Sequence, residues 1–86
     1  MSDFAERLEE ALSTQVRVEM AERGINQQQL ARATGMAVAS MSRYLRNERH
    51  YPLPVVATLA AGLGLTLDVL LQRTLVRITP SGASGG

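Results

Sequence analysis

Apolar residues near the start of the chain recur at helical spacing, Phe4, Leu8 and Leu12 followed by Val16 and Met20, with glutamates among the positions between them. Spacings of four place such residues on one side of an α-helix, so the pattern predicts an amphipathic helix from Asp3 to about Leu12, with acidic residues well placed in its first turn. Ser13-Thr14 either caps a new helix beginning near Gln15 or lies inside one long helix; the pattern leaves both open. The stripe runs on to Gly24, which reads as a C′ glycine. Further on, Pro52 and Pro54 precede Val55, Val56, Leu59, Ala60 and Leu63, a helix stripe with prolines at its start, where their missing N–H groups do no harm. Thr66 then caps a short helix holding Leu67, Leu70 and Leu71, with Asp68 near its positive end.

After Arg73 the pattern changes. Thr74 to Thr79 is rich in β-branched residues, and Thr74, Val76 and Ile78 fall on one face of a short strand. Pro80 stops it, and residues 81–86 read as a flexible tail or an expression remnant. A lone strand cannot satisfy its own backbone. Its partner is either the same segment of a second copy, which makes 74–80 a dimerisation ribbon, or nothing, in which case the segment is an irregular tail laid over the core.

The densest pattern lies between Gly24 and Asn47. Leu30, Ala31 and Thr34 share one side of a short helix, leaving Gln28, Gln29 and Arg32 to solvent. Gly35 supplies a turn, since glycine reaches positive φ without a Cβ penalty. In the next helix, at about 100° per residue with Val38 as zero, Ala39, Ser42 and Arg43 fall near 100°, 40° and 140°. Ala37, Met41 and Tyr44 cluster at roughly 240–300°, which predicts a buried stripe. The opposite face presents three small side chains and one arginine, a surface able to approach a groove closely. An αα-hairpin in a small bundle shows the same glycine turn, and the turn alone does not separate the two.

Composition bounds the answer. With 86 residues, 45% of them hydrophobic, the chain makes one domain with a modest core. The formal net charge of +1 hides an asymmetry: residues 1–22 sum to −4, while residues 23–86 carry seven of the nine arginines and sum to +5. Arg43, Arg46, Arg49 and His50 form the densest basic run, which suits a phosphate surface and equally suits a solvated one. Cysteine is absent, so disulfides and thiolate metal sites are excluded. The acidic opening Ser2-Asp3 does not resemble a secretion signal, and the apolar stretch Val55 to Leu71 is interrupted by Gly62, Gly64 and Asp68, so a cytoplasmic, nucleoid-associated protein with no membrane partner is expected. The one histidine, His50, sits beside Arg49 and Tyr51 with no Gly-rich phosphate loop or metal-ligand spacing in the chain. The sequence is therefore not expected to be an enzyme, and neither metal nor cofactor is expected.

Taken in order, Gly-Ile-Asn-Gln-x-x-Leu-Ala at 24–31, Thr-Gly at 34–35, Met-Ser-Arg-Tyr at 41–44, Arg46-Asn47 and the Leu-Ala-Ala-Gly-Leu-Gly-Leu-Thr-Leu-Asp-Val-Leu-Leu run at 59–71 resemble the lambda-repressor-like (Cro/CI-type, XRE) helix-turn-helix domains. The resemblance covers about Val16 to Leu71. It implies an all-α, five-helix domain over 14–73, to which residues 1–13 add a helical extension and 74–80 a short strand. It also implies roles. Val38, Ala39, Ser42 and Arg43 occupy the positions that meet base edges; Asn26, as N-cap of the second helix, Gln27 in its first turn, and Arg46, Asn47 and Arg49 past the recognition helix fall where the family meets phosphates.

Two departures matter. Ala37 replaces the usual Ser or Thr cap, at a cost of about 1 kcal/mol in helix stability. Val38 and Ala39 replace polar readers, which leaves Arg43 to read a guanine, Ser42 as a second reader and Val38 to meet a thymine methyl. The expected function is a double-stranded-DNA-binding transcriptional regulator, a repressor of bacterial or phage type acting as a homodimer. The alternatives are an antitoxin that holds a toxin through residues 1–12 or 74–79, and a helical adaptor that keeps the fold without binding DNA.

Overall fold

A computed structural model describes residues 2–78, as five helices: α1 (Ser2–Arg23), α2 (Gln27–Thr34), α3 (Val38–Leu45), α4 (Leu53–Gly62) and α5 (Leu67–Ile78). The protein is all-α over these residues. Ser13 and Thr14 lie inside the continuous α1, so the choice left open by the sequence resolves to a single 22-residue helix, about 33 Å long. Leu12, Val16 and Met20 give this helix its buried stripe, against Leu30 and Ala31 of α2, Met41 and Leu45 of α3, Val56, Leu59 and Ala60 of α4, and Leu70 of α5.

Turns between helices follow one device. At Gly35 the backbone takes φ +75°, and the amides of Gly35 and Met36 bond back to the carbonyls of Arg32 and Ala31 at 3.4 and 3.0 Å. This is a Schellman ending, which turns the chain from α2 towards α3 and satisfies carbonyls at the helix end. Gly62 serves a different need. A Cβ there would lie 2.6 Å from Thr34 Cγ2 and 3.2 Å from Leu30 Cδ1, so the missing side chain lets α4 sit tightly on α2.

The strand expected at 74–79 is not formed: 74–78 are the last turns of α5, while Thr79, Pro80 and the expected tail at 81–86 lie outside the described residues. The reason is tertiary. Leu67, Leu70, Leu71 and Thr74 continue a helical stripe; Thr74 is fully buried and its hydroxyl donates to the Leu70 carbonyl at 2.8 Å. From the same helix Arg77 Nε donates to Gln15 Oε1 at 2.6 Å, and Arg73 Nη1 donates to both oxygens of the buried Glu19 at 2.8 and 3.0 Å. These bonds to α1 and the burial of Thr74 outweigh the modest β preference of a few branched residues.

A second correction concerns α3. Met41 and Tyr44 are buried as expected, but Ala37 is exposed at the N-cap and Leu45 is buried instead. The buried stripe therefore starts one turn later and reaches the end of the helix, because Met41 and Leu45 are the residues that meet the core. Among the described residues no single helix is long and apolar enough to cross a membrane.

Candidate nucleic-acid interface

The second helix begins with a reciprocal cap. The Asn26 side chain accepts from the Gln29 amide at 2.8 Å, and the Gln29 side chain accepts from the Asn26 amide at 2.8 Å. This capping box fixes the start of α2 and commits the Asn26 oxygen to its own helix. Gln27, half-buried, is the first residue of that helix, beside the free N–H groups of its N-terminus.

On α3 the expected face is open. Val38, Ala39 and Arg43 are exposed and Ser42 is partly so, while Met41, Tyr44 and Leu45 hold the other side in the core. Ala37 makes no side-chain cap, in keeping with its missing acceptor.

Beyond α3 the chain turns at Asn47, the one non-glycine described residue with positive φ, at 60°. The amides of Asn47 and Glu48 bond back to the carbonyls of Tyr44 and Arg43 at 2.9 Å each, so Asn47 plays the part that Gly35 plays after α2. Asparagine is among the side chains that tolerate this conformation best. Its side chain faces inward to α1, where Ser13 Oγ lies 2.7 Å from Asn47 Oδ1, 2.7 Å from Tyr51 Oη and 3.2 Å from the Tyr44 carbonyl. Arg17, also on α1, donates to the Leu45 carbonyl, the next one along.

The basic run is held rather than loose. Arg46 donates to both oxygens of Glu48, at 2.9 and 3.3 Å, and to Ser42 Oγ at 2.8 Å. Those bonds hold the Glu48 carboxyl below the usual carboxylate range. Arg49 lies over the ring of Tyr44 at 5.6 Å, and Tyr44 in turn stacks on Tyr51 with ring centres 5.3 Å apart. His50 Nδ1 meets Glu9 Oε1 at 2.8 Å, and the other oxygen of Glu9 accepts from the Tyr51 amide at 2.9 Å. Of the arginines expected to meet DNA, Arg43 alone has no side-chain hydrogen bond or ring contact among the described residues.

The structure thus brings Val38, Ala39, Ser42, Arg43 and Arg46 together along one side and end of α3, with Arg49 behind them on Tyr44. Sequence reasoning missed Glu48, Ser13, Arg17 and Glu9. Glu48 had a local signal, an acid two residues from Arg46. The other three act across 28 to 42 positions, and no periodicity marks a contact of that length. Among the described residues no group of His, Asp or Glu side chains is arranged to hold a metal ion.

Residues 15–74 match the family model of the Cro/C1-type HTH DNA-binding domain. Two crystal structures of the clp gene regulator ClgR from Corynebacterium glutamicum share the fold. One superposes with a TM-score of 0.75 at 22% identity, covering 84% of this chain and 94% of that one. The other gives a TM-score of 0.76 at 22% identity, with 91% and 83% covered. No curated protein sequence matches the chain.

Proposed function

Because the chain belongs to the Cro/C1-type helix-turn-helix DNA-binding domain family, we propose that it is a sequence-specific transcriptional regulator, a repressor of bacterial or phage type that binds double-stranded DNA as a homodimer. The observation that carries this reading is α3 itself. Its exposed face holds Val38, Ala39, Ser42 and Arg43, an arginine with no side-chain hydrogen bond among the described residues, while its other side is locked into the core by Met41 and Leu45. Such a helix enters the major groove with little steric resistance, and Arg43 is the side chain suited to a bidentate guanine contact. Gln27 and the N-terminus of α2, with Asn26 capping it, meet one stretch of backbone. Arg46, Asn47 and Arg49 meet another, Arg46 in competition with Glu48.

Selection of duplexes from a random pool tests this. The expected product is a site with two-fold symmetry, half-sites about one helical turn or roughly 34 Å apart, and a G·C pair in each half. Failure to enrich any sequence, together with no duplex binding at low salt, favours a helical adaptor instead.

A second reading is an antitoxin, and one feature favours it. Ala5, Leu8, Leu12, Leu53, Val56 and Leu71 line an apolar groove of about 340 Å³ formed by α1, α4 and α5, on the segment 1–12 first singled out for a protein partner. Its other candidate segment, 74–79, is helical through Ile78, and Thr74 is among the residues that line the same groove.

A further inference from the structure

Glu48 is the sole acidic residue between Glu22 and Asp68, a span that contains every side chain assigned above to DNA. A carboxylate on a surface that must approach phosphates opposes binding, so its placement calls for a physical reason. The geometry supplies one. Glu48 takes two N–H groups of Arg46, at 2.9 and 3.3 Å, and the same guanidinium donates a third to Ser42 Oγ at 2.8 Å. A bidentate carboxylate occupies the donors that a phosphate would otherwise use. Ser42, accepting from Arg46, keeps its own proton for an acceptor elsewhere, such as guanine N7 or O6 or thymine O4.

We infer that Glu48 is a specificity-setting residue. By holding Arg46 against Ser42 it withholds that arginine from sequence-independent phosphate pairing and leaves discrimination to Ser42 and Arg43. The inference rests on the reading that α3 binds duplex DNA. Both side chains are about half exposed, at 56% and 52%, and an exposed ion pair is weak enough to yield. The device therefore tunes binding and does not block it.

The test compares the full chain with Glu48→Gln, Arg46→Ala and the double variant. Affinities are measured over a salt series for the selected duplex and for a random-sequence duplex, with helical circular dichroism to show that each variant folds. Glu48→Gln is expected to bind the random duplex about two- to fivefold more tightly, the range an exposed ion pair allows. Its salt dependence should steepen by about one unit, for one more phosphate neutralised. The gain on the selected duplex should be smaller, so the ratio between the two falls. In the Arg46→Ala background the same change should have little effect.

Three results overturn the inference: no change in random-duplex affinity or salt slope, an equal gain on both duplexes, or a gain that persists when Arg46 is gone. The last would make Glu48 a diffuse charge with no hold on Arg46. Absence of any duplex binding by the unaltered chain is a separate outcome, which removes the DNA-binding reading itself.

Discussion

Ser13 Oγ, midway along α1, lies 2.7 Å from Oδ1 of Asn47, the residue whose left-handed backbone follows the end of α3. Thirty-four positions apart, the two tie the longest helix to the place where α3 gives way to the basic loop. Asn47 thus carries two duties, a positive φ and a hydrogen bond. Replacement by Gly removes the bond alone; replacement by Ala removes the bond and adds conformational strain. Asn47→Ala is expected to cost about 2 kcal/mol and Asn47→Gly about 1 kcal/mol or less. Urea denaturation of both variants decides it, and equal losses would show that the backbone conformation contributes nothing.

The basic loop is also pinned by Glu9, which meets His50 and the Tyr51 amide at once. The hydrogen bond that His50 donates to the Glu9 carboxylate, followed by the charge of Glu9, raises the His50 pKa above the ordinary 6.5. A raised pKa means that the stabilisation is complete below the unfolded value and disappears as pH climbs through the higher folded one. Titration of the His50 ring by NMR should find its midpoint above 6.5 in the unaltered chain and close to 6.5 in Glu9→Gln. Identical midpoints would mean that the contact does not persist in solution.

Glu19 presents the opposite sign. Its side chain is almost wholly buried, and burial works against its charge, but bonds from Arg73, Arg23 and Gln15 prevail and bring its pKa below 4.5. The contribution to stability is therefore present above 4.5 and lost as pH falls through the lower folded value. Glu19→Gln should cost about 2 kcal/mol at neutral pH, less than a fully enclosed ion pair because both arginines reach solvent. That deficit should shrink in acid, where the native carboxyl is itself protonated. Denaturation curves at neutral and acidic pH test both halves.

Much of this arrangement was legible in the sequence. The helix stripes, Ala37 apart, and the open face of α3 follow from spacings of three and four, which a single chain displays directly; the turn at Gly35 follows from the residue type, and the Asn26 cap from the resemblance to the helix-turn-helix family. The contacts that fix the loop do not. Ser13, Glu9 and Arg17 reach their partners only because α1 lies across the end of α3, and Glu19 with Gln15 receives arginines from α5 for the same kind of reason. The strand reading of Thr74 to Thr79 failed at the same point. Local β preference was visible, whereas the burial of Thr74 and the reach of Arg73 and Arg77 to α1 depended on the fold.

Val76 separates the two readings of that segment by the sign of one measurement. It is 74% exposed on α5, so little packing is lost when it is shortened. In a helix, alanine is the better residue by about 0.5 kcal/mol, since valine loses side-chain freedom against the preceding turn. In a strand the preference reverses. Val76→Ala should thus raise the melting temperature slightly, and a lowered one would return the segment to a β-ribbon.

Arg43 carries the last prediction, because it is the long donor on the open face of α3 that no side-chain hydrogen bond restrains. Bidentate to a guanine, it would account for about 1–3 kcal/mol of discrimination at one base pair, whereas a phosphate contact would act on all sequences alike. Arg43→Ala should therefore weaken the selected duplex by about 1–3 kcal/mol and relax preference at one G·C pair, with only a small loss on random DNA. Both roles remove one positive charge, so affinity alone does not distinguish them. A second selection with the variant does: if the same G·C pair is still enriched while random-sequence binding falls, Arg43 lies on the backbone and the guanine is read by another side chain, with Ser42 first in line.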